Sequence, residues 1–230
     1  MAEGSENYLR AIYELTYEGG REAATTTALA EDLGVRAASV TGMLKKLASA
    51  SPPLVHYHPY HGASLTPDGL KAALRVLRQH RLLELYLTEA LGFSWDQVHS
   101  EADRLEHHIS PDLGERIAAA LGDPVLDPHG APIPTADGRL APVFEVPLTS
   151  LPQGFNGRVS RVPDRDPALL RRLQEFGLTP GAQIEVVAAG TEGEVLVRVP
   201  SGSLHWLDHC LAEVILTVRD KERASDPANH

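Results

Sequence analysis

The spacing of apolar residues divides the chain into a helical part, up to about residue 135, and a later part with strand-like alternation. In the helical part, residues 6–17 repeat apolar positions three and four apart, which predicts a first helix with Ser5 as its N-cap. Beyond residue 149, five short apolar runs predict strands, interrupted by one helix over residues 167–176. This pattern is typical of a small barrel, so we expect a mainly helical protein that ends in a small β domain.

Two short helices and a tight turn follow the first helix. The first of the two begins after Thr25 or Thr26 and ends near Leu33, Gly34 opens the turn, and the second spans residues 37–48. Such a pair indicates a helix-turn-helix. Its DNA-facing side would carry the small, hydroxyl-bearing or cationic side chains that a major groove accepts, namely Thr27, Arg36, Ala38, Ser39, Thr41 and Lys45.

Residues 53–66 predict two short strands around His61-Gly62, which is the pattern of a β-wing. Helix, helix-turn-helix and wing together predict a winged-helix DNA-binding domain over residues 1–66. The wing also carries His56 and His58. We interpret its three histidines as polar edge residues near phosphates rather than as metal ligands.

Imidazole and carboxylate groups recur at helical spacing in two later segments. His80 and Glu84 lie one turn apart on a long helix over residues 68–91, and such a pair can chelate one ion. The segment 98–109, with Ser94 as its N-cap, places four donors within an arc of roughly 100°: His99, Asp103, Glu106 and His107. Six donors on two amphipathic helices favour one or two metal sites over a solvated face with ordinary salt bridges, which is the alternative.

Another helix is predicted from Ser110-Pro111 to about Leu121, followed by a proline-rich stretch over residues 122–134 that is extended or turn-like. Asp127 and His129 project from that stretch. They are either further metal ligands or parts of a loop with ordinary turn chemistry, and the sequence leaves both readings open.

The long helix has more apolar positions than one stripe of a monomer needs: Leu70, Leu74, Leu77, Leu82, Leu85 and Leu87. We therefore expect part of its surface to pack against a second copy of the chain. Residues 67–140 would form a metal-binding and dimerisation domain, and residues 136–148 have the composition of a linker. The β domain would span residues 149–220, and the tail after Lys221 is expected to be disordered.

The net charge of −10 is unevenly distributed. Residues 1–75 carry 7 Lys/Arg and 8 Asp/Glu, residues 76–140 carry 5 and 11, and residues 141–230 carry 9 and 12. The acidic excess therefore coincides with the proposed metal ligands. DNA binding by the cation-poor N-terminal third would then depend on help from metal charge or dimerisation.

Two further features concern the compartment. The single cysteine, Cys210, excludes an internal disulfide and suits a reducing cytosol. We find no cleavable leader and no apolar run near the roughly 20 residues that span a bilayer. A soluble cytoplasmic protein is the expectation.

As a set, these motifs resemble the diphtheria toxin repressor family of metal-dependent regulators, including its manganese transport regulators. The resemblance rests on the helix-turn-helix and on four segments, residues 8–15, 80–84 (HRLLE), 98–107 (VHSEADRLEH) and 128–134 (PHGAPIP). It covers almost the whole chain in the family's domain order. It implies a homodimeric, DNA-binding regulator of metal uptake and homeostasis genes, with the metal as corepressor and an SH3-like, FeoA-type C-terminal domain.

The resemblance also implies a ligand set. His80, Glu84 and His99 match the family's ancillary site, which Asp164 or, as an alternative, Asp166 would complete from the C-terminal domain. The primary, activating site is matched by Asn7, Asp103, Glu106 and His107. A Cys-Pro-His element of streptococcal-type manganese regulators reads Asp127-Pro-His129 here, which makes Asp127 and His129 candidate ligands.

This chain departs from the family at two of these positions. Asp103 stands where the iron-type repressors have a cysteine, and Asn7 stands where relatives have Met or Asp. An oxygen-rich site with one imidazole suits Mn²⁺, or Fe²⁺, better than softer ions. The main prediction is therefore a non-enzymatic, Mn²⁺-dependent regulator. The alternatives are a winged-helix regulator that senses an organic ligand and a metal-dependent hydrolase.

Overall fold

The computed structural model describes residues 3–219 of the chain; the tail after Lys221, for which disorder was expected, lies outside them. Within the described residues, the chain forms two compact units. The first contains the residues up to Leu83 together with Asp103–Asp123 and Ile133–Leu140, and the second contains Glu84–Ala102, Pro124–Pro132 and the residues from Ala141 onward. None of the described helices has the length and apolarity needed to cross a bilayer.

The first unit opens with helix α1 (Glu3–Tyr13), which continues into a π-helical segment, Glu14–Glu18. The prediction that Ser5 is the N-cap was wrong, because the helix already begins at Glu3. Ser5 is buried instead, and its hydroxyl donates to the sulfur of Met43.

The helix-turn-helix consists of α2 (Thr26–Asp32) and α3 (Ala37–Ala48), as predicted. Thr25 caps α2, since its side chain accepts a hydrogen bond from the backbone N–H of Ala28. Helix α3 directs its apolar stripe, Val40, Leu44 and Leu47, into the core that α1 also helps to form. One face of α3 is thus fixed by packing, and the opposite face is left for solvent or DNA.

The predicted wing is present as the antiparallel strands β1 (Val55–His58) and β2 (Gly62–Leu65). Gly62 has a φ of 99°, and a Cβ there would lie 2.5 Å from the carbonyl oxygen of Ala24. Only glycine allows this close approach, which lets Ala24 bridge to Ala63. The wing is thereby attached to the segment that leads into α2.

Three helices follow the wing: α4 (Pro67–Leu91), α5 (Val98–Leu105) and α6 (Pro111–Ala120). Ser94 is not the N-cap of α5, since the helix starts only at Val98 after a turn. The helix also ends before residue 106, so Glu106 and His107 lie in a turn rather than on its face. The helical conformation has to end before Ser110, which caps α6 with an extended backbone just before Pro111, and it ends at Leu105.

The second unit is built on a six-stranded antiparallel sheet in the order β3-β8-β4-β5-β6-β7. The strands are β3 (Val146–Pro147), β4 (Asn156–Arg161), β5 (Gln183–Ala189), β6 (Val195–Arg198), β7 (Leu204–Leu207) and β8 (Leu216–Arg219). The predicted helix is present as α7 (Pro167–Phe176), with Asp166 as its N-cap. Helix α8 (His209–Val214), which Asp208 caps, was not predicted; it replaces the first residues of the last predicted strand. The mainly helical fold with a small C-terminal β domain is confirmed.

Candidate metal centres and DNA-binding surface

A cluster of buried ligand atoms lies inside the second unit. Glu84, near the middle of α4, Asp127 and His129 each offer a ligand atom, and these atoms lie within 4.8 Å of one another. All three residues are buried, with exposed fractions of 0%, 5% and 1%. Two carboxylates and an imidazole this deep in a protein require charge compensation.

The loop that carries Asp127 and His129 is held by its own hydrogen bonds. Asp127 Oδ1 accepts from the backbone N–H groups of His129 and Ala131, at 2.8 and 2.9 Å. Gly130, with a φ of 89°, lies so close to β4 that a Cβ would be 1.9 Å from the carbonyl oxygen of Ser160. The turn chemistry and the ligand geometry, which were alternatives from the sequence, therefore occur together.

The hydrogen bonding of His129 fixes which ring nitrogen is available to a ligand. Its Nε2 lies 2.8 Å from the carbonyl oxygen of Trp95, which can only accept, so Nε2 carries the proton. In the neutral ring Nδ1 then holds a lone pair. Nδ1 is buried, makes no hydrogen bond to any residue within 3–219, and lies 3.9 Å from Glu84 Oε2.

This arrangement fits a divalent cation. A lone pair that faces a carboxylate oxygen is repulsive unless a cation lies between them. Histidines that bind metals usually donate their other N–H to a carbonyl or carboxylate, as His129 does to Trp95. Two ligands of one ion, each about 2.1 Å from it, are separated by about 3–4 Å, and 3.9 Å lies within that range.

His99 and Asp164 extend the cluster. His99 Nδ1 lies 2.9 Å from Glu84 Oε1 and 3.6 Å from Asp164 Oδ2. Of the two aspartates considered for this position, Asp166 uses its carboxylate to cap α7, by accepting from the N–H groups of Ala168 and Leu169. The structure therefore places Asp164 beside the imidazole and Asp166 elsewhere.

A second cluster lies inside the first unit. His80 is on α4, one helical turn before Glu84, and its Nδ1 lies 2.7 Å from Glu106 Oε2 and 3.4 Å from Asp103 Oδ1. Glu106 is 1% exposed. These three residues form another group with the spacing of metal ligands. His80, which the resemblance assigns to the ancillary site, thus also contacts two residues of the predicted primary site.

Arg10 on α1 occupies the middle of this second cluster. Its Nη1 lies 2.6 Å from His80 Nδ1 and 2.9 Å from Glu106 Oε2, and its Nη2 donates to Asp103 Oδ1 at 2.7 Å. Burial by itself would lower the pKa of Arg10, but the charges of Glu14, Glu106 and Asp103 outweigh it and raise that pKa. As arranged, the three ligand atoms are held by a guanidinium, so a metal fits here only if Arg10 leaves.

His107 and Asn7, the other two predicted primary-site residues, contact each other beside this cluster. His107 Nε2 hydrogen-bonds Asn7 Oδ1 and lies 3.3 Å from Glu106 Oε1, and His107 Nδ1 lies 2.9 Å from Glu6 Oε2. Sequence reasoning missed Glu6 and Arg10. The only available signal was their position on α1, one turn apart and on either side of Asn7.

The candidate DNA-binding surface is a concavity between the helix-turn-helix and the wing. Thr27, Arg36, Ala38, Ser39 and Lys45 are exposed there or next to it, and Thr41 is partly buried. The concavity is lined by Thr25, Thr26, Thr27, Thr41, Lys45, Tyr57, Pro59, Tyr60 and Gly62. The wing-tip Tyr60, which the sequence analysis did not single out, is fully exposed with a φ of 70°.

Comparison with protein-family models assigns nearly the whole chain. Residues 1–63 match the iron dependent repressor N-terminal DNA-binding domain, and residues 66–135 match the iron dependent repressor metal-binding and dimerisation domain. Residues 146–219 match the FeoA domain. The three matches follow the order of the elements described above.

Three proteins that are similar over most of their length are repressors by name, and two of the names state a dependence on iron or manganese. The iron-dependent repressor IdeR of Mycobacterium leprae is 30% identical over 94% of this chain and 96% of its own length. The diphtheria toxin repressor of Corynebacterium glutamicum is 31% identical over 90% and 93%. A solved manganese-dependent transcriptional repressor in complex with manganese is 35% identical, with a TM-score of 0.84 over 94% of this chain and 99% of that one.

Proposed function

Because the chain belongs to the iron-dependent repressor family, which includes the diphtheria toxin repressors, we propose that it is a metal-dependent transcriptional regulator. It binds operator DNA as a homodimer and controls genes of metal uptake and homeostasis, with Mn²⁺ as its corepressor. Fe²⁺ is the alternative metal.

The observation that carries this proposal is the buried Nδ1 of His129. It has no hydrogen-bond partner among residues 3–219, it faces Glu84 Oε2, and its ring is fixed by the bond from Nε2 to the Trp95 carbonyl. A site that had only a structural role would place a donor or an apolar atom at that position. A divalent cation bound by Glu84, Asp127, His129, His99 and Asp164 would supply the positive charge that these groups require.

The donor chemistry supports Mn²⁺ or Fe²⁺. The cluster offers three carboxylates and two imidazoles, and the chain's single cysteine lies on the exposed surface of α8 rather than in the cluster. Oxygen-rich donor sets suit Mn²⁺, and imidazoles suit Fe²⁺ as well. Because Mn²⁺ binds more weakly than its competitors in the Irving–Williams order, its selection depends on coordination number and on supply in the cell.

Within the first unit, hydrogen bonds connect residues 103–107 (the acidic turn) to helix α1, which packs against the helix-turn-helix. Asp103, Glu106 and His107 contact α1 through Arg10, Asn7 and Glu6. Helix α1 in turn packs against the core of the helix-turn-helix through residues such as Leu9 and Ile12. A change in charge at the turn therefore acts directly on the element that positions α3, and a ligand that favours one placement of α3 shifts the population toward it.

The winged helix supplies the contacts with DNA. Ser39 and Thr41 on α3 suit base edges in the major groove, and Arg36 and Lys45 suit phosphates. The wing-tip Tyr60 extends the same surface. Two copies related by a twofold axis would present two such surfaces to the half-sites of an operator.

The test begins with DNA. Duplexes selected from a random library in the presence of Mn²⁺ are used for anisotropy titrations with Mn²⁺, Fe²⁺, Zn²⁺ or a chelator. We expect sequence-specific binding with Mn²⁺ that the chelator abolishes. Equal binding with and without metal would overturn the proposal, and metal binding without any DNA selection would favour the hydrolase alternative.

A matched pair of variants tests the proposed ligand set. Asp164→Asn removes a carboxylate beside His99, whereas Asp166→Asn, two residues later, removes one that caps α7. We expect Asp164→Asn to lower the Mn²⁺ affinity at least tenfold and Asp166→Asn to leave it unchanged. The reverse order would assign the ligand to Asp166.

A further inference from the structure

We propose that Arg10 competes with the divalent cation for the ligand atoms of His80, Asp103 and Glu106, so that its guanidinium has to withdraw before a metal binds there. The inference rests on the proposed metal dependence and concerns the regulation of one of its sites. Arg10 would then be the counter-ion of Asp103 and Glu106 in the metal-free protein.

The guanidinium has the position of a bound cation. Two of its nitrogens lie 2.6 to 2.9 Å from His80 Nδ1, Glu106 Oε2 and Asp103 Oδ1, and these three atoms lie within 4.8 Å of one another. Arg10 is 8% exposed, so the contacts are made in a water-poor environment. A metal that used the same three atoms would lie about 2.1 Å from each and would overlap the guanidinium.

Electrostatic repulsion also opposes the presence of Arg10 and a metal ion in the same site. Asp103 and Glu106 contribute two negative charges, and Arg10 neutralises one of them. A second cation within about 4 Å of Arg10 would be repelled strongly at the effective dielectric of a protein interior. Cation exchange is therefore favoured over sharing of the site.

Glu14 provides the place to which Arg10 can move. It lies one turn further along the helical segment, 3.7 Å from Arg10 Nε, and its side chain is 21% exposed. Rotation of the guanidinium toward Glu14 and solvent keeps an ion pair while it vacates the cluster. The same rotation removes the bonds from Arg10 to Asp103 and Glu106 and leaves those of His107 to Asn7 and Glu6 in place.

The expected consequence is two classes of metal site with different affinities. The cluster around Glu84 and His129 binds first. The affinity at Asp103 and Glu106 is reduced by the fraction of molecules in which Arg10 has withdrawn, and a withdrawn fraction of about 1% weakens it about 100-fold.

The experiment compares Mn²⁺ titrations of the full chain and its variants, followed by the EPR signal of free Mn²⁺. Arg10→Gln removes the competing charge. Arg75→Gln is the matched control. Arg75 is exposed and pairs with Glu6 at 3.0 Å, so its substitution removes the same charge from the same region. We expect Arg10→Gln to raise the affinity of the weaker site at least tenfold without changing the tighter site, and Arg75→Gln to change the weaker site by less than threefold.

The inference is overturned if Arg10→Gln leaves the weaker site unchanged or weakens it, or if Arg75→Gln has an equal effect. If Arg10→Gln does not fold, the test uses the wild-type chain instead. The side-chain N–H signals of Arg10 are then followed by NMR during a titration with Cd²⁺. Loss or a large shift of those signals with the second equivalent supports the inference, and their persistence at saturation overturns it. Failure of the proposed function is distinct, because the wild-type chain would then bind no metal at the tighter site.

Discussion

The substitution Glu84→Gln tests whether Glu84 is a metal ligand or a carboxylate with only a structural role. The two roles predict opposite effects on stability in the absence and in the presence of Mn²⁺. The substitution keeps the shape of a fully buried side chain and removes one negative charge. The ligand atoms of Glu84 and Asp127 lie within 4.8 Å of each other, so relief of repulsion contributes about 3 kcal/mol or more at an effective dielectric of about 20. Loss of the charge on the acceptor for His99 Nδ1, at 2.9 Å, costs about 1.5–3 kcal/mol.

The two effects nearly cancel in the metal-free protein. We expect Glu84→Gln to change the free energy of unfolding by about 1 kcal/mol or less, or about 2–4 °C in Tm for a chain of this size. In the wild-type chain, Mn²⁺ at 100 times its Kd adds about 2.7 kcal/mol. That corresponds to an increase of about 5–10 °C, and the variant should lose it.

Differential scanning calorimetry with a chelator and with Mn²⁺ measures both quantities. Glu89→Gln is the control, since Glu89 lies on the same helix α4 but is exposed, and it should retain the full Mn²⁺ effect. The reasoning would be refuted by a Glu84→Gln protein that is several kcal/mol less stable without metal and still gains the wild-type increase with Mn²⁺.

Three other outcomes are expected. Glu106→Ala should abolish Mn²⁺-dependent operator binding in anisotropy titrations while size-exclusion chromatography still shows a folded dimer; unchanged metal-dependent affinity would count against a role for this residue. Lys45→Ala should weaken binding similarly for all DNA sequences and reduce the slope of log K against log salt by about 1; a sequence-dependent loss would indicate a base contact instead. The hydrogen bond from Ser94 and the ion pair with Arg171 lower the pKa of Asp96, so this carboxylate stabilises the fold above its unfolded pKa. Asp96→Asn should therefore lower Tm at pH 7, with a difference that vanishes as the pH falls through the depressed pKa, and a constant difference would contradict this.

The elements that follow local rules could be predicted from the sequence. Helices α3 and α7 have the predicted bounds because a turn glycine, an N-cap or a proline marks each start. The wing follows from two short apolar runs around a glycine. Helix α5 was predicted too long because hydrophobic periodicity continues through residue 109, whereas the helix ends at Leu105 and a turn leads to the N-cap of the next helix, Ser110.

The grouping of the candidate ligands could be predicted from the sequence, but the cation and the proton that lie among them could not. Arg10 sits between apolar neighbours on α1, and its acceptors Asp103 and Glu106 are 93 and 96 residues away, so nothing local indicates its burial. The bond between His129 and the carbonyl of Trp95 spans 34 residues and involves a backbone atom that any residue could supply. Spacing along a helix shows which side chains can share a face, but only tertiary packing decides which cation or proton lies among them.

Asp127 is both a candidate metal ligand and an anchor of its own loop, because one of its oxygens accepts hydrogen bonds from the backbone N–H groups of His129 and Ala131. A thiolate at position 127 would be a softer metal ligand but would lose both of these hydrogen bonds. Position 130 in the same loop tolerates no side chain, because it lies against β4. A change of ligand at position 127 therefore also changes how the loop is anchored, whereas exchange of Glu84 or His99 on the neighbouring helices leaves these two backbone hydrogen bonds in place.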